Sequence, residues 1–375
     1  MAGIYLHIPF CKQACHYCNF HFSTSLKLKD ALVDAMLLEL ENRRGELAGQ
    51  TVETIYFGGG TPSMLTKNDL DRIFNTVYKH FSISDNPEIT LEANPDDLTP
   101  TYLEGLRQTP MNRLSVGIQS FRDEDLRYMN RAHNAHEANH CVQLAQDKGF
   151  EAISIDLIYA MPTATDADWE HNLQTALQLR PQHLSAYCLT VETGTALNHM
   201  VKKGTAPAVD EEAASRQFMM LTEMTRAAGY EHYEVSNLAR DGHYARHNSS
   251  YWKGKPYLGV GPAAHSYNGL NRRWNVSNNN KYIKAINAGE PFYETETLTT
   301  ADQYNEFLMT RLRTMWGVPL QEIVLQFGEP ARQQLLAEAS SKIINGQMVL
   351  LNDHLILTTP GRLIADGLIS DLFWV

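Results

Sequence analysis

Between residue 4 and about residue 191 the chain alternates two patterns. Short β-branched and aromatic runs are each followed by a longer stretch in which apolar residues recur at helical spacing. The first pattern predicts strands over 4–9, 53–57, 88–93, 113–119, 153–159 and 183–191; the second predicts helices over 29–44, 67–81, 99–108, 136–148 and 166–179. Strands and helices in strict alternation imply parallel strands joined by right-handed helical crossovers. Six such units are too few for a standard eight-stranded barrel, so the predicted class is α/β with a barrel-like parallel sheet; in barrels of this type the C-terminal ends of the strands carry the active site.

Past residue 191 the pattern changes. A helix over 210–228 and an extra strand over 230–235 precede a Gly-, Asn- and His-rich region, 241–280, expected to be mostly loop. Five aromatic residues between Tyr244 and Tyr267 argue against disorder there, since a long loop in a compact chain is functional or disordered. Helical patterns over 301–316, 320–327 and 330–344, a hairpin over 348–351 and 355–358, and a last helix from Pro360 follow in the order of a winged helix. The expected division is therefore 1–236 for the barrel, 237–294 for a loop-rich connection and 295–375 for a mostly helical, winged-helix-like domain.

Composition narrows the function classes. A net charge of −11 disfavours a general nucleic-acid binder, and the C-terminal unit is itself acidic, so protein contact is its expected role. No apolar run reaches the ~18 residues of a spanning helix. Strand-like sequence from Ile4 leaves no room for an export signal. A cytoplasmic protein with free thiols is expected; peripheral membrane contact stays open.

Three of the five cysteines, Cys11, Cys15 and Cys18, fall within eight residues directly after the first strand. Thiolates are soft ligands, and one short loop aims three of them at one point. An odd number of close cysteines fits a disulfide poorly. Iron–sulfur and zinc both remain, the latter as Cys3His with His7, His16 or His21, although structural zinc sites use two separated ligand pairs.

Other polar residues sit where a plain core would be apolar. Gly58-Gly59-Gly60-Thr61-Pro62 ends strand two and serves either a close ligand contact or a turn. Glu92 sits near the end of strand three, Gln119 ends strand four, Arg131 comes twelve residues later and Asp156 lies inside strand five. Buried charges need partners, so either Arg131 pairs with Glu92 or Asp156 to close the barrel, or a polar ligand sits among them. Cys141 and Cys188 read as small buried apolar residues.

The cysteine spacing, with Tyr17 before the third cysteine, resembles the CxxxCxΦC signature of the radical S-adenosylmethionine (SAM) superfamily. That resemblance implies a partial (β/α)6 barrel and a [4Fe-4S] cluster on Cys11, Cys15 and Cys18, with SAM chelating the iron that lacks a protein ligand. It further implies SAM contacts from Tyr5, Tyr17, Gly59, Gly60, Thr61, Glu92, Gln119, Arg131 and Asp156; Gly259-Val-Gly-Pro262 is similar to the glycine segment near the adenine.

Within the superfamily, His7-Ile-Pro-Phe-Cys11, Phe57-Gly-Gly-Gly-Thr-Pro62, Ser115-Val-Gly-Ile-Gln-Ser-Phe121 and Asn130-Arg131 resemble the oxygen-independent coproporphyrinogen III oxidase group and its shorter HemW proteins, described as haem chaperones. The oxidases carry a cysteine two residues after the third, where this chain has Phe20, and they extend further at the N-terminus. His247-Asn248-Ser-Ser-Tyr251-Trp252 is similar to the HNxxYW motif of the HemW proteins. By that resemblance His247, Asn248, Tyr251 and Trp252 contact haem, imidazole being a common axial ligand; alternatively the segment only anchors a loop. The expected function is haem binding and delivery to haem proteins, respiratory and membrane-associated ones included. The alternative is radical decarboxylation of coproporphyrinogen III propionates in porphyrin biosynthesis.

Overall fold

The computed structural model describes residues 2–374. Six parallel strands stand side by side in chain order: β1 (Ala2–Ile8), β2 (Val52–Gly59), β3 (Ile83–Ala93), β4 (Arg113–Gln119), β5 (Ala152–Tyr159) and β6 (His183–Cys188). Helices Lys29–Asn42, Lys67–His80, Pro100–Leu106, Ala135–Asp147 and Asp166–Gln178 form the crossovers. The sheet does not close on itself, so the fold is the partial barrel predicted. Helix starts are set locally, because Thr66, Asn134 and Thr165 each exchange capping hydrogen bonds with the residue three further on, Asp69, Glu137 and Asp168.

Successive strand residues point to opposite faces. Ile55 and Phe57, Ile89 and Leu91, Leu114 and Val116, and Ile153 and Ile155 are fully buried in the layer shared with the helices. The alternate positions, among them Tyr56, Glu92, Ser115, Asp156 and Tyr187, point inward. The barrel interior is therefore polar and aromatic, which no purely structural core requires.

The region 241–280 is not mostly loop. After β7 (Tyr230–Glu234) and β8 (Asn237–Arg240), which extend the β6 edge, the chain forms a helix, Arg246–Trp252, and β9 (Tyr257–Val260), which pairs parallel with β1 over Gly3–Leu6. Strands β10 (His265–Tyr267), β11 (Asn271–Asn275) and β12 (Tyr293–Thr297) continue antiparallel, giving this sheet twelve strands among the described residues. Runs of three to five residues are too short to display a period of two, which is why pattern reading misses them.

Helix Arg246–Trp252 closes the N-terminal end of the barrel. Glu88 accepts hydrogen bonds from the backbone N–H groups of Arg246 (2.9 Å) and His247 (2.8 Å), an anion placed on the unsatisfied donors of a helix start.

The remaining residues build a second apolar core around Tyr304, Leu308, Leu335 and Leu355. Helices Thr300–Leu312, Leu320–Phe327 and Glu329–Ile344 precede a small sheet of β13 (Val318–Pro319), β14 (Met348–Leu351) and β15 (His354–Leu357). This unit docks on the β7 edge: Arg313 Nε donates to Glu234 (3.1 Å), Met315 N–H to the Tyr233 carbonyl (2.9 Å) and Arg362 Nη1 to the His232 carbonyl (2.7 Å). Among the described residues, no helix is long and apolar enough to cross a membrane.

Candidate functional site

The cysteine loop leaves the C-terminal end of β1 and is pinned at its base and at its tip. Cys11 N–H donates to the Ser23 carbonyl (3.0 Å) and Ser23 N–H to the Pro9 carbonyl (2.8 Å), which closes the base. At the tip, Asn130 Nδ2 donates to the Ala14 carbonyl (2.7 Å) and its Oδ1 accepts from Gln13 Nε2 (2.6 Å). Asn130 holds the left-handed conformation that Asn tolerates better than most residues. His16 donates its backbone N–H to the Met129 carbonyl (3.0 Å) and its Nδ1–H to the Tyr128 carbonyl (2.8 Å). Lys12 ties the loop to the end of β3 through Asp96 (2.7 Å) and Asp97.

Cys11, Cys15 and Cys18 line one wall of a cavity of about 510 Å3 at the C-terminal strand ends. Burial pushes the Cys11 thiol up to about 11 and raises that of Cys18. The histidines of the Cys3His alternative are engaged with other groups: His7 Nε2 donates to the His21 carbonyl (3.0 Å), His21 Nε2 bonds Asn279 Oδ1 (2.7 Å) and His16 Nδ1 donates to the Tyr128 carbonyl (2.8 Å).

Tyr17, Gly59, Gly60, Thr61, Glu92, Gln119, Arg131 and Asp156 line the same cavity. The glycines answer to close packing as well: a Cβ on Gly60 would lie 2.8 Å from the carbonyl oxygens of Ile8 and Phe10, and one on Gly59 would meet the His7 ring at 2.7 Å. Gln119 holds positive φ (66°) at the end of β4, a strain that in non-glycine residues collects at functional sites.

Arg131 does not pair with Glu92 or Asp156, which corrects one reading of that cluster. Its guanidinium donates to Asn94 Oδ1 (2.7 Å), the Gly117 carbonyl (2.8 Å) and Cys15 Sγ (3.3 Å), and its buried Nε has no partner. Glu92 accepts from Tyr56 O–H (2.7 Å) and Gly59 N–H (3.2 Å); burial, reinforced by the Asp156 charge, pushes it up to about 7. Burial pushes Asp156 up to about 6, although Ser185, the Arg113 charge and Ser115 hold it down. Two carboxylates are thus buried side by side without a bridging cation.

Other expected contacts lie elsewhere. Tyr5 is beneath the cavity rather than on its wall, its O–H 3.2 Å from His7 Nδ1 and its ring beside those of Tyr56 (6.1 Å between centroids) and His247 (6.4 Å). Cys141 is buried as expected, but Cys188 is half-buried on the cavity wall.

His247 is at the opposite end of the barrel, fully enclosed. Its Nδ1 meets Thr54 Oγ1 (2.8 Å), its Nε2 meets Tyr251 O–H (2.7 Å) and its ring stacks on Tyr56 (4.9 Å between centroids). Burial lowers its pKa to about 3. With both nitrogens engaged, His247 has none to offer an iron in this arrangement, contrary to the expectation of direct ligation. Asn248 is half-buried on the same short helix, and Trp252 lies under the Arg313 guanidinium (5.8 Å) with its Nε1 unpartnered.

Residues to which sequence reading gave no role of their own include Ser115, Gly117 and Tyr187 on the cavity wall; Asn94, at the end of strand three, lines it too. Ser115 and Gly117 were findable, since they share the inward face with Gln119 at a period of two.

A three-cysteine loop at the end of the first strand of an open parallel barrel defines the class as radical SAM: residues 5–176 match the Radical SAM superfamily, and residues 298–364 match the HemN C-terminal domain. The fold is that of coproporphyrinogen III oxidase (HemN) from Escherichia coli, with a TM-score of 0.86 at 22% identity over 99% of this chain and 90% of that one. The heme chaperone HemW of Mycobacterium tuberculosis is 35% identical over 99% of this chain and 94% of its own length, and that of Bacillus subtilis is 34% identical over 88% and 87%. The chain belongs to the HemW family.

Proposed function

We propose that this protein is a haem chaperone, binding haem and passing it to haem proteins, with a [4Fe-4S] cluster on Cys11, Cys15 and Cys18 and SAM in the adjoining cavity. The observation that carries the cofactor half is the pairing of three thiols with two buried carboxylates, neither in a salt bridge, around one cavity. Uncompensated buried charge is costly, so Glu92 and Asp156 are arranged for a ligand that brings positive charge and hydroxyl donors. SAM has a sulfonium, an ammonium and a ribose. The orphaned Nε of Arg131 suits its carboxylate. Three cysteines hold three irons of a four-iron cluster and leave the fourth for SAM.

Bound there, the cluster and SAM supply one-electron chemistry. The chain's own contribution is positional: Asn130 and Lys12 fix the cysteine loop, Arg131 joins Cys15 to the ends of β3 and β4, and the glycine turn lets backbone groups reach the ligand. Full-length similarity to proteins named heme chaperone carries the haem half.

The oxidase reading is favoured by the fold of HemN alone, and Phe20, exposed at the cavity mouth, stands where that group has a cysteine. Anaerobic reconstitution followed by iron and sulfide analysis and haem titration tests the proposal. The parent is expected to hold about four irons and one haem, and a Cys11/Cys15/Cys18 triple alanine variant to lose the irons. Absence of haem binding, with propionate decarboxylation in the presence of SAM and a reductant, would replace the chaperone by the oxidase.

A further inference from the structure

A second cleft, of about 300 Å3, opens at the other end of the barrel from the cysteines, between the β9–β10 edge and helix Thr300–Leu312. Its walls are aromatic. Tyr251 and Tyr257 meet edge to face at 4.5 Å, and Phe307 faces them from the C-terminal unit. Its rim is cationic, with Lys253, Lys255, Arg272 and Arg311 against one lining carboxylate, Glu306. Such a concentration is notable in a chain of net charge −11.

The positive charge is only partly neutralised. Arg272 pairs with Glu306 (2.5 Å), Arg311 with Glu322 (3.0 Å) and Lys255 with Glu53 (3.3 Å). Lys253 has no carboxylate partner among the described residues; its ammonium lies 4.6 Å over the Trp316 ring. Burial, then the charges of Lys255 and Arg311, lower its pKa, as expected of cations gathered without enough anions. The Tyr251 ring is held in place because His247 Nε2 engages its hydroxyl. The HNxxYW segment thereby builds a wall of the cleft without giving an axial ligand.

We propose that this cleft seats the propionate edge of a porphyrin: the carboxylates on the Lys253 and Arg311 side, the adjacent pyrrole rings against Tyr251, Tyr257 and Phe307. The inference rests on the haem reading above and names where the haem is held. A volume at the small end of ligand cavities takes one edge of a macrocycle rather than the whole. Held by its edge, the porphyrin keeps both metal faces open to a recipient's ligands, as transfer demands.

The test uses full-length, anaerobically reconstituted protein and three probes: haem, iron-free protoporphyrin IX and its dimethyl ester. Binding is read by Soret absorbance and by quenching of tryptophan fluorescence, with Trp316 beside the cleft. Lys253→Glu is expected to weaken haem and free-acid porphyrin about tenfold by removing a charge-assisted contact; Lys253→Met, which adds no charge, should fall between it and the parent. The dimethyl ester should bind far more weakly than the free acid to the unaltered protein, a comparison that needs no variant to fold.

If both variants and the ester bind like the parent and the free acid, the cleft is overturned and the haem reading stands. Should the parent refuse haem yet take iron-free porphyrin in a Lys253-dependent way, the cleft stands and the haem reading falls. No binding of any probe overturns both. Displacement of the porphyrin by inorganic phosphate at equal concentration would mark a general anion site and overturn the porphyrin assignment.

Discussion

Glu92→Gln should make the ligand-free protein more stable above neutral pH while impairing the site. In the fold Glu92 is buried with two hydrogen bonds and no cation, and its carboxyl is pushed from an ordinary 4.5 up to about 7. A raised acid pKa means that the folded state keeps its proton after the unfolded state has lost one. Stability from this group is therefore full below pH 4.5, falls as pH rises, and is lost above pH 7. Moving a carboxyl that far corresponds to about 3 kcal/mol. The amide of Gln cannot accept from both Tyr56 and Gly59, and losing one such bond costs about 1 kcal/mol. The net expectation is a gain of about 2 kcal/mol at pH 8 that shrinks to about zero near pH 5, where the penalty of burial and the lost bond nearly cancel. Thermal melts of parent and variant without cofactors, at pH 5, 6.5 and 8, give the comparison directly. SAM titration at pH 8 should show weaker binding by the variant. A variant whose melting temperature follows the parent's at all three pH values would refute the reasoning, for it would mean that Glu92 is not strained by burial.

Two further outcomes follow from the geometry. His247→Ala should lower stability by about 3 kcal/mol, by emptying a buried ring site and leaving the Thr54 and Tyr251 hydroxyls unpaired; a melting temperature equal to the parent's would show that the ring does not close the barrel. Asn130→Ala should leave global melting within about 1 kcal/mol of the parent yet accelerate loss of iron in air, because only the tip of the cysteine loop is released; unchanged iron loss would remove Asn130 from its anchoring role.

Much of the barrel was legible because each unit pairs a strand with a helix long enough to show a 3.6-residue period, and capping residues such as Thr66 and Thr165 mark the starts. The cysteine loop was legible because its ligands are adjacent in sequence. Position was harder to read than chemistry. Nothing in His-Asn-Ser-Ser-Tyr-Trp says that the helix it forms caps the N-terminal strand ends, where Glu88 and Thr54 wait for it. The alternative in which Arg131 pairs with a carboxylate rested on charge alone, whereas in the fold its guanidinium is occupied by Asn94, a backbone carbonyl and a thiol. Tyr5 was displaced from the cavity wall by one layer, a distance that a one-dimensional pattern does not encode.

The pairing of β1 with β9 also bears on the order in which the chain can assemble. Strand β1 is made before the other strands of its sheet, but one of its edges is covered only when Tyr257–Val260 arrives about 250 residues later. At ordinary translation rates of about 5–20 residues per second that is roughly 12–50 s. For that interval an apolar edge strand lacks a neighbour, and unpaired edges recruit other strands. Synthesis of this chain is thus expected to include an aggregation-prone window that ends once Val260 has cleared the ribosome, and ribosome-stalled chains cut before and after that stage should differ in their need for holding factors.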